Sequence, residues 1–248
     1  MPRPLLALAL LALLLAVVPA AAQPLPTALG GLLPSPDRPA DMAAALKLLV
    51  GLAVLSLAPA LLIMLTCFTR IIIILSFLRS ALGTQQTPPN AVLIGLALFL
   101  TFFIMAPVWQ QMDGQAIKPY LAGKLRSDQA VAKAAAPLRD FLLKQTREKD
   151  LGLFITLSRS PRPHKPEDVS FGALIPAYII SELRAGFQIG FVLFIPFVVV
   201  DLIVSSVLMS LGMMMLPPVM VSLPLKVMLF VLVDGWHLIT KSIVLSFG

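Results

Sequence analysis

The sequence predicts an all-α membrane fold: hydrophobic helical hairpins with a small helical extracytoplasmic insert. Three observations carry this. Apolar types make up 58% of the 248 residues and charged types only 12%. A soluble domain carries roughly 25% charged residues, so this chain lacks the polar surface to enclose one water-facing core. Apolar runs recur at membrane-spanning length, about 20 residues. Between them lies one polar island, residues 113–170, with 11 of the 19 Lys/Arg and 7 of the 12 Asp/Glu. The same composition argues against a soluble enzyme and against a disordered chain, which needs the opposite bias. No stretch alternates with the period of a strand, and no internal repeat is found.

Residues 1–22 read as a secretory signal peptide. Arg3 supplies the positive start, Leu5 to Val18 is an apolar stretch, and Ala20-Ala21-Ala22 offers a cleavage site before Gln23. Residues 23–41 read as a linker, because Pro24, Pro26, Pro34, Pro36 and Pro39 with Gly30 and Gly31 oppose a regular helix. A first hydrophobic helical pair follows over 42–112. Leu48 to Thr69 has no charge over 22 residues, roughly 33 Å of helix, with Pro59 in its middle. Residues 70–90 form the connection. Ala91 to Val108 is the second run, opened by Pro88-Pro89-Asn90.

In the island, Ser127-Asp128 caps a helix over Gln129–Ala136, and Pro137 opens a second. Leu138, Phe141 and Leu142 share one face of that second helix. They pack the island's own core or dock a neighbouring subunit. The second hydrophobic pair spans 171–248. Its runs are Ala185 to Leu211, interrupted by Pro196 and Asp201, and Val219 to Phe247. With the mature N-terminus outside, the 70–90 connection faces the cytoplasm with Arg70 and Arg79. The island then lies outside with net charge 11 − 7 = +4, against the positive-inside rule, which weakens for loops near 60 residues.

Charges inside the apolar runs call for partners. Glu182 and Arg184 flank the third run, Asp201 lies within it, and Lys226 and Asp234 lie within the fourth. Each costs roughly 2.5–3.5 kcal/mol if it faces lipid at a helix centre. Asp201 and Asp234 are therefore expected as buried polar groups. Asp201, Asp234 and His237 could form a sparse proton relay. Ion pairing is the alternative, with Glu182 and Lys226 as the first pair to test. These two could also mark interfacial helix ends and snorkel to water.

Gly212-Met213-Met214-Met215-Leu216-Pro217-Pro218 breaks the helix between the third and fourth runs. Methionine is deformable and fills irregular gaps, so these side chains either pack or plug a hole between copies. Cys67 stands alone, and His164 and His237 are far apart. No disulfide, metal-ligand spacing, phosphate loop or nucleophile motif is present. The net charge of +7 suits membrane topology or assembly better than nucleic acid.

Several blocks resemble the FliP family of type III secretion export-gate proteins. They include Thr69-Arg70-Ile71-Ile72-Ile73, Arg79-Ser80-Ala81-Leu82-Gly83-Thr84 and the Gly95–Met105 run. Others are Asp150-Leu151-Gly152-Leu153-Phe154, Pro176-Ala177-Tyr178-Ile179-Ile180-Ser181-Glu182-Leu183, Phe187-Gln188-Ile189-Gly190 and Leu232-Val233-Asp234-Gly235-Trp236. The resemblance runs from about Leu48 to the C-terminus.

It implies a non-enzymatic homo-oligomer, a pentamer in the family, that assembles with FliQ, FliR and other export-apparatus membrane proteins. Unfolded flagellar proteins pass through it. The implied location is the bacterial inner membrane at the flagellar basal body, with the gate largely on the periplasmic side. Met213, Met214 and Met215 are the implied pore gasket, Phe141 and Phe154 subunit contacts, and Glu182 with Lys226 an inter-subunit ion pair. No cofactor, metal or nucleic acid is implied. Injectisome relatives share the core but usually lack the cleaved signal, which favours the flagellar branch. A small-solute transporter using Asp201, Asp234 and His237 is a second reading, against which the lack of internal repeats counts. An intramembrane enzyme on Asp234 or His237 is a third, without a nucleophile constellation to support it. The 155–170 stretch, with Arg159, Arg162 and Lys165, has no assignment.

Overall fold

The computed structural model describes residues 39–84, 86–158, 163, 165, 168–213 and 215–248. The expected signal peptide, all but the end of the expected linker, His164 and Met214 lie outside the described residues. Those described form helices and no strand, so the chain is all-α. In order they are α1 (Pro39–Leu65), α2 (Phe68–Leu82), α3 (Asn90–Met112), a π-helical turn (Asp113–Ile117), α4 (Lys118–Leu121), α5 (Ser127–Gln145), α6 (Glu148–Leu157), α7 (Phe171–Ser210), α8 (Pro218–Leu232) and α9 (Gly235–Leu245). The chain divides into two compact units between Ala58 and Pro59, within α1. Everything below concerns the second.

The centre of this unit is α2, where a connection was expected. The first apolar run ends at Thr66-Cys67, and the chain re-enters a helix at once. Ile71, Ile74, Leu75 and Leu78 are at most 1% exposed. Their i, i+3, i+4, i+7 spacing makes one apolar face, and burying that face outweighs the charges of Arg70 and Arg79 that suggested a loop. Gly83, in the left-handed conformation at φ 73°, ends the helix.

α2 runs parallel to α7. Arg70 meets Glu182. A Cβ added at Gly186 would lie 3.1 Å from Ile73, and one at Gly190 would lie 2.6 Å from Phe77. The absence of side chains at 186 and 190 is what allows the close approach. Phe77 also meets Phe187 edge to face, with ring centroids 5.5 Å apart. α3, α9 and parts of α7 and α8 complete this core through Leu93, Ala97, Met105, Phe197, Phe230, Ile239 and Ile243.

A second, smaller core joins the insert to the start of α7 through Leu142, Val169, Leu174 and Tyr178. The insert does not begin a new helix at Pro137. α5 is continuous from Ser127 to Gln145 and carries Pro137 inside it. Proline removes one backbone hydrogen bond, but here it is buried, and packing on both sides of it holds the helix together.

Among the described residues, two continuous helical stretches are long and apolar enough to cross a membrane, Asn90–Leu121 and Phe171–Ser210. The fourth run was expected as one segment. It is broken instead into α8 and α9, which meet at an angle of 67°. The break follows from Asp234-Gly235. Asp234 adopts a left-handed conformation at φ 50°, ψ 55°, and a Cβ at Gly235 would fall 2.2 Å from the Phe230 ring.

Candidate functional site

Three polar ties and one exposed loop of the second unit bear on function. The first tie is centred on Arg70, which is 5% exposed. Its Nε donates to Glu182 Oε2 at 3.0 Å, and Nη2 donates to Glu182 Oε1. Nη2 also donates to Gln145 Oε1 at 3.0 Å. Nη1 donates to the Ser246 carbonyl at 2.8 Å and to Ser246 Oγ at 3.3 Å. All five guanidinium donors are thereby used, in the planar fork geometry that arginine alone offers. The Phe247 ring lies 3.9 Å from the guanidinium carbon, a cation–π contact. One side chain thus joins α2, α7, the end of α5 and the residues after α9.

The second tie lies further along α7. Lys226 Nζ donates to Asp201 Oδ2 at 2.6 Å, and Ser222 Oγ donates to Asp201 Oδ1 at 2.6 Å. The lysine side chain is 6% exposed and the aspartate 35%. Glu182 and Asp201 are 19 residues apart on one helix, about 28 Å at 1.5 Å per residue. That is close to the thickness of a hydrocarbon core, ~30 Å. Between the ties α7 carries Arg184 near one end and no other charged residue.

The third tie fastens the insert. Ser181 Oγ donates to Asp150 Oδ2 at 2.8 Å and accepts the Arg147 backbone N–H at 3.1 Å. Beside it Phe141 packs edge-on against Tyr178, with centroids 6.2 Å apart. Phe141 and Phe154 are both half-buried.

The methionine loop is set by the way α7 ends. Gly212, at φ 71°, donates its N–H to the Met209 carbonyl at 3.1 Å, and Met213 N–H donates to the Leu208 carbonyl at 3.0 Å. This pair of bonds is a Schellman termination. It turns Met213 off the helix axis. Met215 is 99% exposed and Met213 is about half exposed, so neither of these two side chains is enclosed by its own chain.

Of the site residues expected from sequence, the structure pairs neither Glu182 nor Lys226 with the other. Each charge is already matched within the chain, by Arg70 and Asp201 respectively. Asp201 is half-buried, in a tie. Asp234 is exposed, not buried; it forms the corner between α8 and α9, where a short polar side chain suits the left-handed backbone. His237 is also exposed. Among the described residues no group of His, Cys, Asp or Glu is arranged to hold a metal. Sequence reading missed Arg70 and Gln145. Arg70 carried the same signal as Lys226, a lone cation beside an apolar run, but was assigned to a loop. Gln145 stands in a stretch, Gln145-Thr146-Arg147-Glu148, that also resembles the family, but nothing in its chemistry or spacing pointed to a partner.

Comparison with known proteins gives consistent matches. The model of the FliP family matches residues 51–243. The flagellar biosynthetic protein FliP of Bacillus subtilis (strain 168) is 53% identical over 213 residues, covering 86% of this chain and 96% of the relative. That of Pectobacterium carotovorum subsp. carotovorum is 50% identical over 214 residues, covering 86% and 83%. That of Aquifex aeolicus (strain VF5) is 44% identical over 204 residues, covering 82% and 85%.

Proposed function

Because the chain belongs to the FliP family, we propose that it is a membrane component of the flagellar protein export apparatus and forms part of its channel. In this reading several copies assemble with FliQ and FliR, and unfolded flagellar subunits pass between them. It is not an enzyme and uses no cofactor. The observation that carries the channel reading is the α7–α8 hairpin. Its tip holds the exposed Met213 and Met215, and its flanks expose Leu202, Ile203, Val207, Met209, Met220 and Val231. An apolar surface of that extent marks a membrane or protein contact. Methionines on a loop, rather than in a core, suit a deformable seal around an axis. Phe141 and Phe154 are read as subunit contacts at the half-buried edge of the insert. The pairing of Glu182 with Lys226 of another copy requires exchange of partners on assembly, since both are satisfied within one chain. The ring would sit in the bacterial inner membrane, with the insert on the periplasmic side.

The test is co-expression with the FliQ and FliR of the same genome, followed by native mass spectrometry and ion-flux measurement. Replacing Met213, Met214 and Met215 with alanine leaves the subunit stoichiometry of the assembly unchanged and raises ion permeability. An unchanged permeability removes the seal. A monomer that ignores both neighbours removes the channel.

A further inference from the structure

The last helix of the chain is held differently at its two ends. α8 and α9 are about 22 and 17 Å long at 1.5 Å per residue. Neither alone crosses a ~30 Å hydrocarbon core; drawn straight together, 218–245 would. They are bent by 67° instead. The corner residue, Asp234, is the one non-glycine residue with positive φ among the described residues. L-residues are strained there, and aspartate is among those that tolerate it best. From this corner α9 sinks Ile239 and Ile243 into the core, while Trp236, Leu238 and Leu245 stay exposed. Its far end is gripped by polar groups. Arg70 bonds the Ser246 carbonyl, Gln145 Nε2 donates to the Phe247 carbonyl at 3.2 Å, and the Phe247 ring stacks against the guanidinium.

We propose that α9 is a detachable strap, which turns on the Asp234 corner and is clasped shut over the core by Arg70 and Gln145. The corner favours release, because straightening relieves its left-handed backbone. The clasp opposes release, through main-chain carbonyls that present acceptors only when α9 lies closed. Arg70 keeps its bond to Glu182 in either state, so opening leaves no buried charge unpaired. The strap is a property of the single chain and does not depend on the channel reading.

Two thiols test it. Ile243→Cys places a reporter on the buried face of α9, where the native side chain is fully buried. Cys67, also fully buried, lies off the strap, between α1 and α2. The full chain in membranes is exposed to N-ethylmaleimide, and each site is followed by peptide mass spectrometry. Opening of the strap labels the introduced thiol while Cys67 stays unmodified. Asp234→Gly slows that labelling by about tenfold, the equivalent of about 1.4 kcal/mol, because glycine accepts the corner without strain. Asp234→Val speeds it, as does Arg70→Lys. Equal labelling rates at the two thiols, or no response to either Asp234 substitution, overturns the proposal.

Discussion

Arg70 and Glu182 lie 112 positions apart in sequence and form a two-pronged ion pair, fully enclosed on the glutamate side. Removing one member leaves the other charged and buried, which costs about 3–5 kcal/mol. Glu182→Ala and Arg70→Ala are both expected to lower the melting temperature of the detergent-purified chain sharply. Arg70→Lys should recover only part of the loss, since an ammonium offers three donors where five are used. Equal stability of the lysine variant and the native chain would show that the fork is unimportant.

The Asp201–Lys226 tie is lopsided, with the lysine enclosed and the aspartate partly in solvent. Asp201→Ala should therefore cost more than Lys226→Ala, about 1–3 kcal/mol after allowing for the exposure of the carboxylate. Thermal unfolding of the two variants side by side gives the order. A larger loss for the lysine substitution contradicts it.

Gly190 and Gly95 make a matched contrast. A Cβ at 190 would strike Phe77 at 2.6 Å, whereas one at 95 meets nothing within 4 Å. Gly190→Ala should destabilise by about 1–3 kcal/mol. Gly95→Ala should be neutral or stabilise by about 0.5–1 kcal/mol through helix propensity. Denaturation of both variants reads the difference.

Ser181 serves Asp150 and the Arg147 N–H together. Ser181→Ala strips both of this partner, a cost of about 1–3 kcal/mol. Amide exchange should accelerate across α6 and leave α2 protected. Uniform acceleration throughout the second unit would mean that the tie is not local.

The all-α class and the helix break between the third and fourth runs were legible because composition and helix breakers act locally. The 70–90 segment was misread for the same reason. Its two arginines look like loop residues until Glu182, a distant partner, is placed beside one of them. Glu182 and Lys226 were singled out as charges in need of partners. Which partner Glu182 takes depends on the parallel register of α2 on α7, and that register is set by Gly186 and Gly190, whose meaning appears only when Ile73 and Phe77 face them; Lys226 meets Asp201 where α8 packs on α7. Pro137 and Asp234 failed in opposite directions. A proline did not break a helix that packing supports on both sides, and an aspartate broke one that apolar periodicity alone would have continued.

The 40 residues of α7 make a rod about 60 Å long, twice the thickness of a hydrocarbon core. Its first turns are fastened to the insert by Ser181, and its last turn carries the methionine loop. Such a rod can flex at Pro196, but it cannot shorten. The insert and the loop are therefore the two ends of one lever.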